Sequence, residues 1–263
     1  MQAVPLGFFL FLVELAAGGL IVTALLDWDG EVSGGYLFLN GIFMLGAAAV
    51  GVWLRTVLPA ERLVPYAAGR PWVGAEVAVW AGFAVISAAY LFCVKTDRRM
   101  VGRVLAGLAA AAGVAGAAVS AQAYAPDGMG AVPLFVALAA GALALGAAWS
   151  AMMLGHWYLV TPLLAPRPLL RLNAGLAGAL ALQAGLAVWA MTAATLEPAM
   201  RWFFWLRVGA GIAMPLVLTL PVWRTARVRS MMSATGLLYV ALGLVLAGEI
   251  IAKALFFISG APS

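Results

Sequence analysis

The sequence has almost none of the residues from which self-contained redox and metal centres are built. Its only cysteine is Cys93, so an internal disulfide and a thiolate metal cluster made by this chain alone are excluded. Cys93 lies in an apolar stretch, where a cysteine packs as a small hydrophobe. Its only histidine is His156, which excludes a haem held between two histidines of this subunit. His/Met ligation would have to use Met152, Met153 or another methionine, and methionines inside helices pack by default. The chain is therefore expected to hold no haem or metal by itself. Signatures of phosphate loops, zinc proteases and serine nucleophiles are also absent. That absence argues against a self-contained enzyme and for a non-autonomous subunit.

Charge is scarce too. Only 10% of the residues are charged and 65% are hydrophobic, against roughly 25% charged in a typical soluble domain. Such a chain belongs in a lipid bilayer. The net charge of +5 then reports basic loops facing an anionic leaflet, not a nucleic-acid partner. The first residues carry no Lys or Arg, Glu14 interrupts the first apolar run, and that run continues to Leu26. This departs from a secretory signal and reads as a first membrane helix.

What is present is apolar length. A spanning helix needs about 20 apolar residues, and eight such stretches stand at 3–26, 36–58, 74–94, 101–123, 132–160, 171–193, 202–222 and 234–258. The expected fold is an all-α polytopic membrane protein, one integral membrane domain over 1–263, with connections too short for a soluble domain. Loops after the third, fifth and seventh stretches hold nine basic residues: Lys95, Arg98, Arg99, Arg103, Arg167, Arg171, Arg224, Arg227 and Arg229. Those after the second, fourth and sixth hold four: Arg55, Arg62, Arg70 and Arg201. The asymmetry places the first group in the cytoplasm and both termini outside, in a multi-pass protein of the cell's inner (cytoplasmic) membrane. The acidic segment 27–31 would then be cytoplasmic, as a docking surface or a plain solvated loop.

An internal resemblance links 20–26 (LIVTALL) to 158–164 (YLVTPLL), and each is followed by Leu-Asn in an apolar stretch, Leu39-Asn40 and Leu172-Asn173. Duplicated halves, 1–125 and 131–263, would produce this pattern; so would chance in a chain this rich in Ala, Leu and Gly. Gly107, Gly113, Gly116, Gly141, Gly146, Gly175, Gly178 and Gly185 load helices four to six with small residues suited to close backbone approach in lipid. Pro215 and Pro221 should bend helix seven.

An ionisable side chain at the bilayer centre costs at least about 2.5–3.5 kcal/mol, so each such group needs a partner, a cavity or a neighbouring subunit. Glu14 and Gln183 fall near mid-membrane. Glu14 lies roughly 16 Å into its helix, with no basic residue within a turn of it and Gly18 and Gly19 following. A carboxylate buried without a partner stays protonated, ready to relay protons or bond a polar ligand, or else hydrogen-bonded between helices. Toward the outer side lie Glu76, Gln122, Arg201, Arg207, Glu249 and Lys253. Glu249 and Lys253 share a helix face at i,i+4. These residues read as a structural ion-pair network, or as a proton path or the lining of an outer cavity. Toward the cytoplasmic side lie Asn40, His156, Tyr158, Arg171 and Asn173. His156 shares a helical face with Met152, Met153 and Val160, while Tyr158 points the opposite way. An imidazole at that depth can bond a quinone carbonyl and exchange its proton near neutral pH. The segment His156-Trp157-Tyr158 also has the composition of an interfacial belt.

Eight helices in two halves, short loops, and a first helix in which Glu14 is followed by Gly18 and Gly19 resemble the NrfD/PsrC family, with Asn40 and the His156-Trp157-Tyr158 patch in support. These are quinone-binding membrane subunits of polysulfide-reductase-type and alternative complex III oxidoreductases. The resemblance implies a subunit without a redox cofactor of its own. It would bind menaquinone or ubiquinone near one membrane face, beside an iron–sulfur or multihaem cytochrome c partner. Glu14 and His156 would be the catalytic groups, and His156, Tyr158, Asn40 and Trp157 the quinone contacts. Glu14, Glu249, Lys253 and Arg207 would form the proton path. A small-solute or ion transporter using Glu14 and the Glu249/Lys253/Arg207 cluster, and a non-catalytic scaffold subunit, are the competing expectations.

Overall fold

The computed structural model describes residues 3–58, 71–126, 130–193 and 198–259; Arg62 and Arg70 lie outside them. Among the described residues there are eight helices long and apolar enough to cross a membrane, and no strand. They are α1 (Ala3–Asp29), α2 (Gly34–Val57), α3 (Trp72–Lys95), α4 (Arg99–Tyr124), α5 (Ala131–Val160) and α6 (Arg167–Ala193), followed by α7 and α8 (Met231–Ser259). Helix α7 runs through three segments, Pro198–Leu206, a π-helical stretch Arg207–Ala213, and Met214–Arg227. The protein is an all-α polytopic membrane protein.

The eight expected stretches all form, and most extend beyond their apolar runs. The extension matters for charge. Asp27 and Asp29 end α1, Arg167 and Arg171 begin α6, and Arg55 is in the last turn of α2. The acidic segment is therefore not a plain solvated loop. Asp27 is buried and accepts from Tyr90 Oη at 3.4 Å, while Arg103 donates to the Asp27 carbonyl at 2.9 and 3.1 Å. Asp29 pairs with Arg171, and Glu31 lies 3.3 Å from Arg167 and 3.9 Å from Arg171. This end of the bundle, hereafter the basic end, is laced together by its own acids. The opposite end carries the beginning of α1 and the end of α8, and is called the terminal end.

Helices α1 to α4 pack in sequence, with α4 returning to α1, and α5 to α8 close in the same way through α8 and α5. The two groups meet where α1 packs on α5, with α1 against α8 and α4 against α5 on either side. Helix α1 is the centre of the molecule: its apolar span is 89% buried, against 33% for α2. The α1–α5 crossing is made by glycines. A Cβ on Gly18 would lie 1.7 Å from the Ala142 carbonyl oxygen, and one on Gly146 would lie 2.3 Å from the Gly19 nitrogen. In lipid, where apolar side chains gain nothing by leaving apolar solvent, such backbone contact is what holds helices together. Gly113, Gly116 and Gly141 also meet close neighbours, whereas Gly107, Gly175, Gly178 and Gly185 have open space around them. Half of the small positions singled out in α4–α6 therefore do not serve close approach.

Helix α7 departs from regularity just before Pro215, not at both prolines. Proline removes an N–H and crowds the carbonyl four residues earlier, here that of Gly211, and the chain takes the wider π-helical turn over Arg207–Ala213. Pro221 is carried inside continued α-helix. Of the internal resemblances, Asn40 and Asn173 are each the seventh residue of their helix and both are buried. Segments 20–26 and 158–164 are not equivalent: the first lies wholly within α1, and the second leaves α5 at Val160.

Candidate functional site

Four charged side chains from three helices converge inside the membrane span, toward the terminal end. Glu14 comes from α1, Arg207 from the π-helical stretch of α7, and Glu249 and Lys253 from successive turns of α8. All are buried: Glu14 and Glu249 are 2% exposed, Arg207 3% and Lys253 6%. Lys253 Nζ stands 2.8 Å from Glu14 Oε2 and 3.2 Å from Glu249 Oε2, so one ammonium serves two carboxylates. Glu249 Oε1 lies 3.5 Å from Arg207 Nη2 and accepts a 2.5 Å hydrogen bond from Gln183 Nε2 of α6. The expectation that Glu14 lacks a basic partner is corrected here. Its partner lies on the last helix, out of reach of any argument from neighbours in the chain.

Glycine makes room for this centre. A Cβ on Gly141 of α5 would lie 2.7 Å from Glu14 Oε2 and 2.8 Å from Glu249 Oε2, so only a bare backbone fits against the paired carboxylates. Beside Glu249, the α7 and α8 backbones touch through Gly211 and Gly248, where a Cβ would come within 2.5 Å of the facing Cα. With two acids and two bases the centre is formally neutral, the condition under which charges are tolerated in a low dielectric. Its hydrogen bonding is incomplete. Glu14 Oε1, and Arg207 Nε and Nη1, are buried without a hydrogen-bond partner among the described residues, while Glu14 Oε2 has only the Lys253 ammonium. Unsatisfied charged groups of this kind call for water, a proton or a ligand. A cavity of about 250 Å³ adjoins the centre, with Glu14, Trp80, Gly113 and Phe135 on its wall. A smaller one of about 150 Å³ is lined by Gly7, Phe8 and Lys253.

A second buried cluster offers an internal comparison. Arg55 Nε lies 3.0 Å from Glu76 Oε2 and 3.2 Å from Tyr124 Oη, Tyr124 donates to Glu76 at 2.5 Å, and Ser120 donates to Glu76 at 2.7 Å. Trp80 Nε1 in turn donates to Ser120 at 3.1 Å. Arg55, counted among loop cations from the sequence, is 5% exposed and belongs to this cluster. The Glu76 carboxylate has all its partners, as expected of a structural ion pair. Gln122 and Arg201, at the same expected depth, are exposed on the bundle surface.

The residues expected near the cytoplasmic face do not form one site. Asn40 Nδ2 donates to Thr23 Oγ1 at 2.8 Å and to Ser150 Oγ at 3.1 Å, tying α2 to α1 and α5, and Tyr36 Oη donates to the Ser150 carbonyl at 2.9 Å. Trp157 packs edge-on against Tyr36 and over Gly35. Tyr158 is buried and donates to the Ala165 carbonyl, closing the turn into α6. His156 is exposed on the outside of the bundle, away from the asparagine node and from the charged centre. Thus Glu14, Glu249, Lys253 and Arg207 are brought together, with Gln183 added, while Asn40 and Trp157 are linked only through Ser150 and Tyr36, and His156 and Tyr158 stand apart. Gly141 was singled out in the sequence only as a small residue, and nothing there signalled its contact with the carboxylates.

Fold and centre together define a polytopic helical membrane protein with a buried, charge-balanced polar centre between its two helix groups. Comparison with known proteins finds no matching family model, no matching curated protein and no matching solved structure.

Proposed function

We propose that the chain is the membrane subunit of a multisubunit oxidoreductase that exchanges electrons with a lipid-soluble quinone and moves protons through Glu14. The observation that carries this reading is the Glu14–Lys253–Glu249–Arg207 centre, which keeps three polar atoms, Glu14 Oε1 and Arg207 Nε and Nη1, buried without a partner among the described residues beside an apolar cavity. Two-electron chemistry on a quinone requires a proton at each carbonyl, and a shared ammonium between two carboxylates lets Glu14 take up or release one while Lys253 keeps Glu249 as its partner. The electrons would pass to or from an iron–sulfur or multihaem cytochrome c chain, since one cysteine and one histidine are too few to build either centre from this chain alone. Menaquinone or ubiquinone would be the substrate. His156, exposed at the basic end, can meet a quinone only from the lipid or partner side of the bundle. The test is purification in mild detergent with subunit and quinone analysis, followed by Glu14→Gln. Co-purification with a redox chain and bound quinone, and loss of quinone-linked turnover in an assembled Glu14→Gln complex, are expected. Recovery as a lone, colourless, quinone-free protein would overturn the reading.

One observation favours a second reading. The π-helical stretch of α7 begins at Arg207, inside the charged centre, and such turns mark places where a helix changes register at functional sites. An ion- or proton-coupled transporter would use α7 in this way. Uptake of a solute into vesicles holding the purified chain alone would establish transport and displace the oxidoreductase.

A further inference from the structure

A lateral crevice lies on the seam between the two helix groups. Its floor is one face of α1, where Ala17, Ile21, Leu25 and Trp28 follow at spacings of four, four and three residues and so line a single stripe. Two cavities lie along that stripe, one of about 250 Å³ bounded by Ala17 and Ile21 and one of about 470 Å³ bounded by Leu25 and Trp28. Leu143 of α5 lines both and is 39% exposed, so the crevice opens sideways toward lipid. Exposure rises along the floor, from 3% at Ala17 to 63% at Trp28. From Ala17 to Asp29 the floor runs roughly 18 Å at 1.5 Å per residue, slightly more than the ~15 Å of hydrocarbon in one leaflet. At its shallow end the wall is charged: among the described residues lining the larger cavity, Asp29 and Arg171 are the two ionised ones. They stand at the basic end, at headgroup level, with Trp28 beside them as the residue expected at a membrane–water interface.

We propose that this crevice holds one phospholipid with a primary-amine zwitterionic head, of the phosphatidylethanolamine kind. Its phosphate sits on Arg171, its ammonium on Asp29, and one acyl chain follows the α1 stripe past Leu143, ending short of Glu14. The wall's own charges select the head. Arg171 meets Asp29 and Glu31 through Nη1, and the parallel Nε–H and Nη2–H of the same guanidinium are the pair that takes a phosphate side-on. Asp29 meets Arg171 through Oδ2, and its Oδ1 is an acceptor for an ammonium N–H. One cation and one anion side by side, 41% and 38% exposed, match a head that carries both signs. An anionic head would set its surplus charge against Asp29 and Glu31, and a quaternary ammonium has no N–H to donate. A free phosphate would leave the apolar floor uncovered. Because its head bridges α1 and α6, this lipid ties the two helix groups together at the end opposite the Glu14–Lys253 contact. The proposal stands apart from the quinone reading.

The full-length chain, purified and delipidated in mild detergent, tests this by native mass spectrometry and thermal unfolding. The probes are phosphatidylethanolamine, phosphatidylcholine and phosphatidylglycerol with the same acyl chains, and inorganic phosphate. One phosphatidylethanolamine should be held about tenfold more tightly than either other lipid and should raise the unfolding midpoint. Asp29→Asn should erase that preference while phosphate-bearing heads still bind, a change that general loss of structure would not produce. Arg171→Gln should weaken all three lipids. Leu143→Trp, which fills the junction of the two cavities from a lipid-facing position, should weaken phosphatidylethanolamine by about tenfold. Leu182→Trp, on an exposed face of α6 outside the crevice, controls for the added indole. Equal retention of the three lipids by the wild type, or a preference for phosphatidylglycerol, would overturn the zwitterionic head. Unchanged retention in Leu143→Trp would overturn the crevice as the site. The same rise in midpoint with inorganic phosphate alone would overturn the lipid as the occupant.

Discussion

Lys253 is the residue on which the charged centre turns, because it is the one cation shared by both carboxylates. Replacing it by methionine keeps the stem's volume but leaves Glu14 without its partner and Glu249 with Arg207 and Gln183 alone. Breaking a buried pair from one side costs about 3–5 kcal/mol, because a charge is left uncompensated. Lys253→Met should therefore lower the midpoint of thermal unfolding in detergent sharply, and adding Glu14→Gln should restore part of the loss. A double variant no more stable than Lys253→Met would mean that the two side chains do not act as a pair. Gly141 belongs to the same argument: Gly141→Val forces the carboxylates apart at an overpacking cost of about 1–3 kcal/mol. The same substitution at Gly178, which has open space around it, should leave the unfolding midpoint nearly unchanged. From the sequence, Glu249 and Lys253 were legible as one helix face and Arg207 as their neighbour in depth. Glu14 was legible as a buried acid but not as Lys253's partner, because that contact joins the first helix to the last. Arg55 was misplaced for a simpler reason: a cation within a turn of a helix end counts as a loop charge until its carboxylate, Glu76, is seen across the bundle.

Helices were the most readable level, since apolar length alone decides where a chain can cross a bilayer. Their ends were less readable because a helix continues past its apolar run whenever polar residues find partners, as Asp27 and Asp29 do with Arg103 and Arg171. Helix α7 shows a subtler limit. Two prolines stand in it, yet only Pro215 accompanies a change of helical type, and it does so where Gly211 lets α7 lie backbone to backbone on α8. That contact sets Arg207 beside Glu249. Gly211→Leu should push the two helices apart, costing about 1–3 kcal/mol by overpacking, and open the centre to water. Thermal unfolding gives the first effect. Faster amide hydrogen exchange over 207–213 and 245–250, with α3 and α4 unchanged, gives the second, and equal exchange in all four regions would show that the α7–α8 contact does not guard the centre.

For the molecule as a whole, two helix groups meet along α1 and α5, with charge pairs at the basic end, the glycine crossing in the middle and the charged centre toward the terminal end. The Asp29–Arg171 and Glu31–Arg167 pairs at the basic end are exposed enough that each contributes little, about 0–1 kcal/mol, so their role is to match charges across the seam more than to clamp it. The Glu14–Lys253 contact, joining α1 to α8 between buried side chains, is the stronger tie between the groups. Orientation follows from which end faces the negative leaflet. Lys95, Arg98, Arg99, Arg224, Arg227 and Arg229 all fall at the basic end, and an excess of cations marks the cytoplasmic side. We therefore expect a cysteine placed at Arg99, whose side chain is 59% exposed, to react with an impermeant maleimide only in inside-out vesicles. One placed at Trp72, exposed at the start of α3 on the opposite end, should react only in intact cells. The native Cys93 is buried, which keeps the background low. The reverse pattern would turn the protein over, placing the seam's charged mouth outside and the Glu14 centre toward the cytoplasm, so that a proton taken up by Glu14 would come from the opposite compartment.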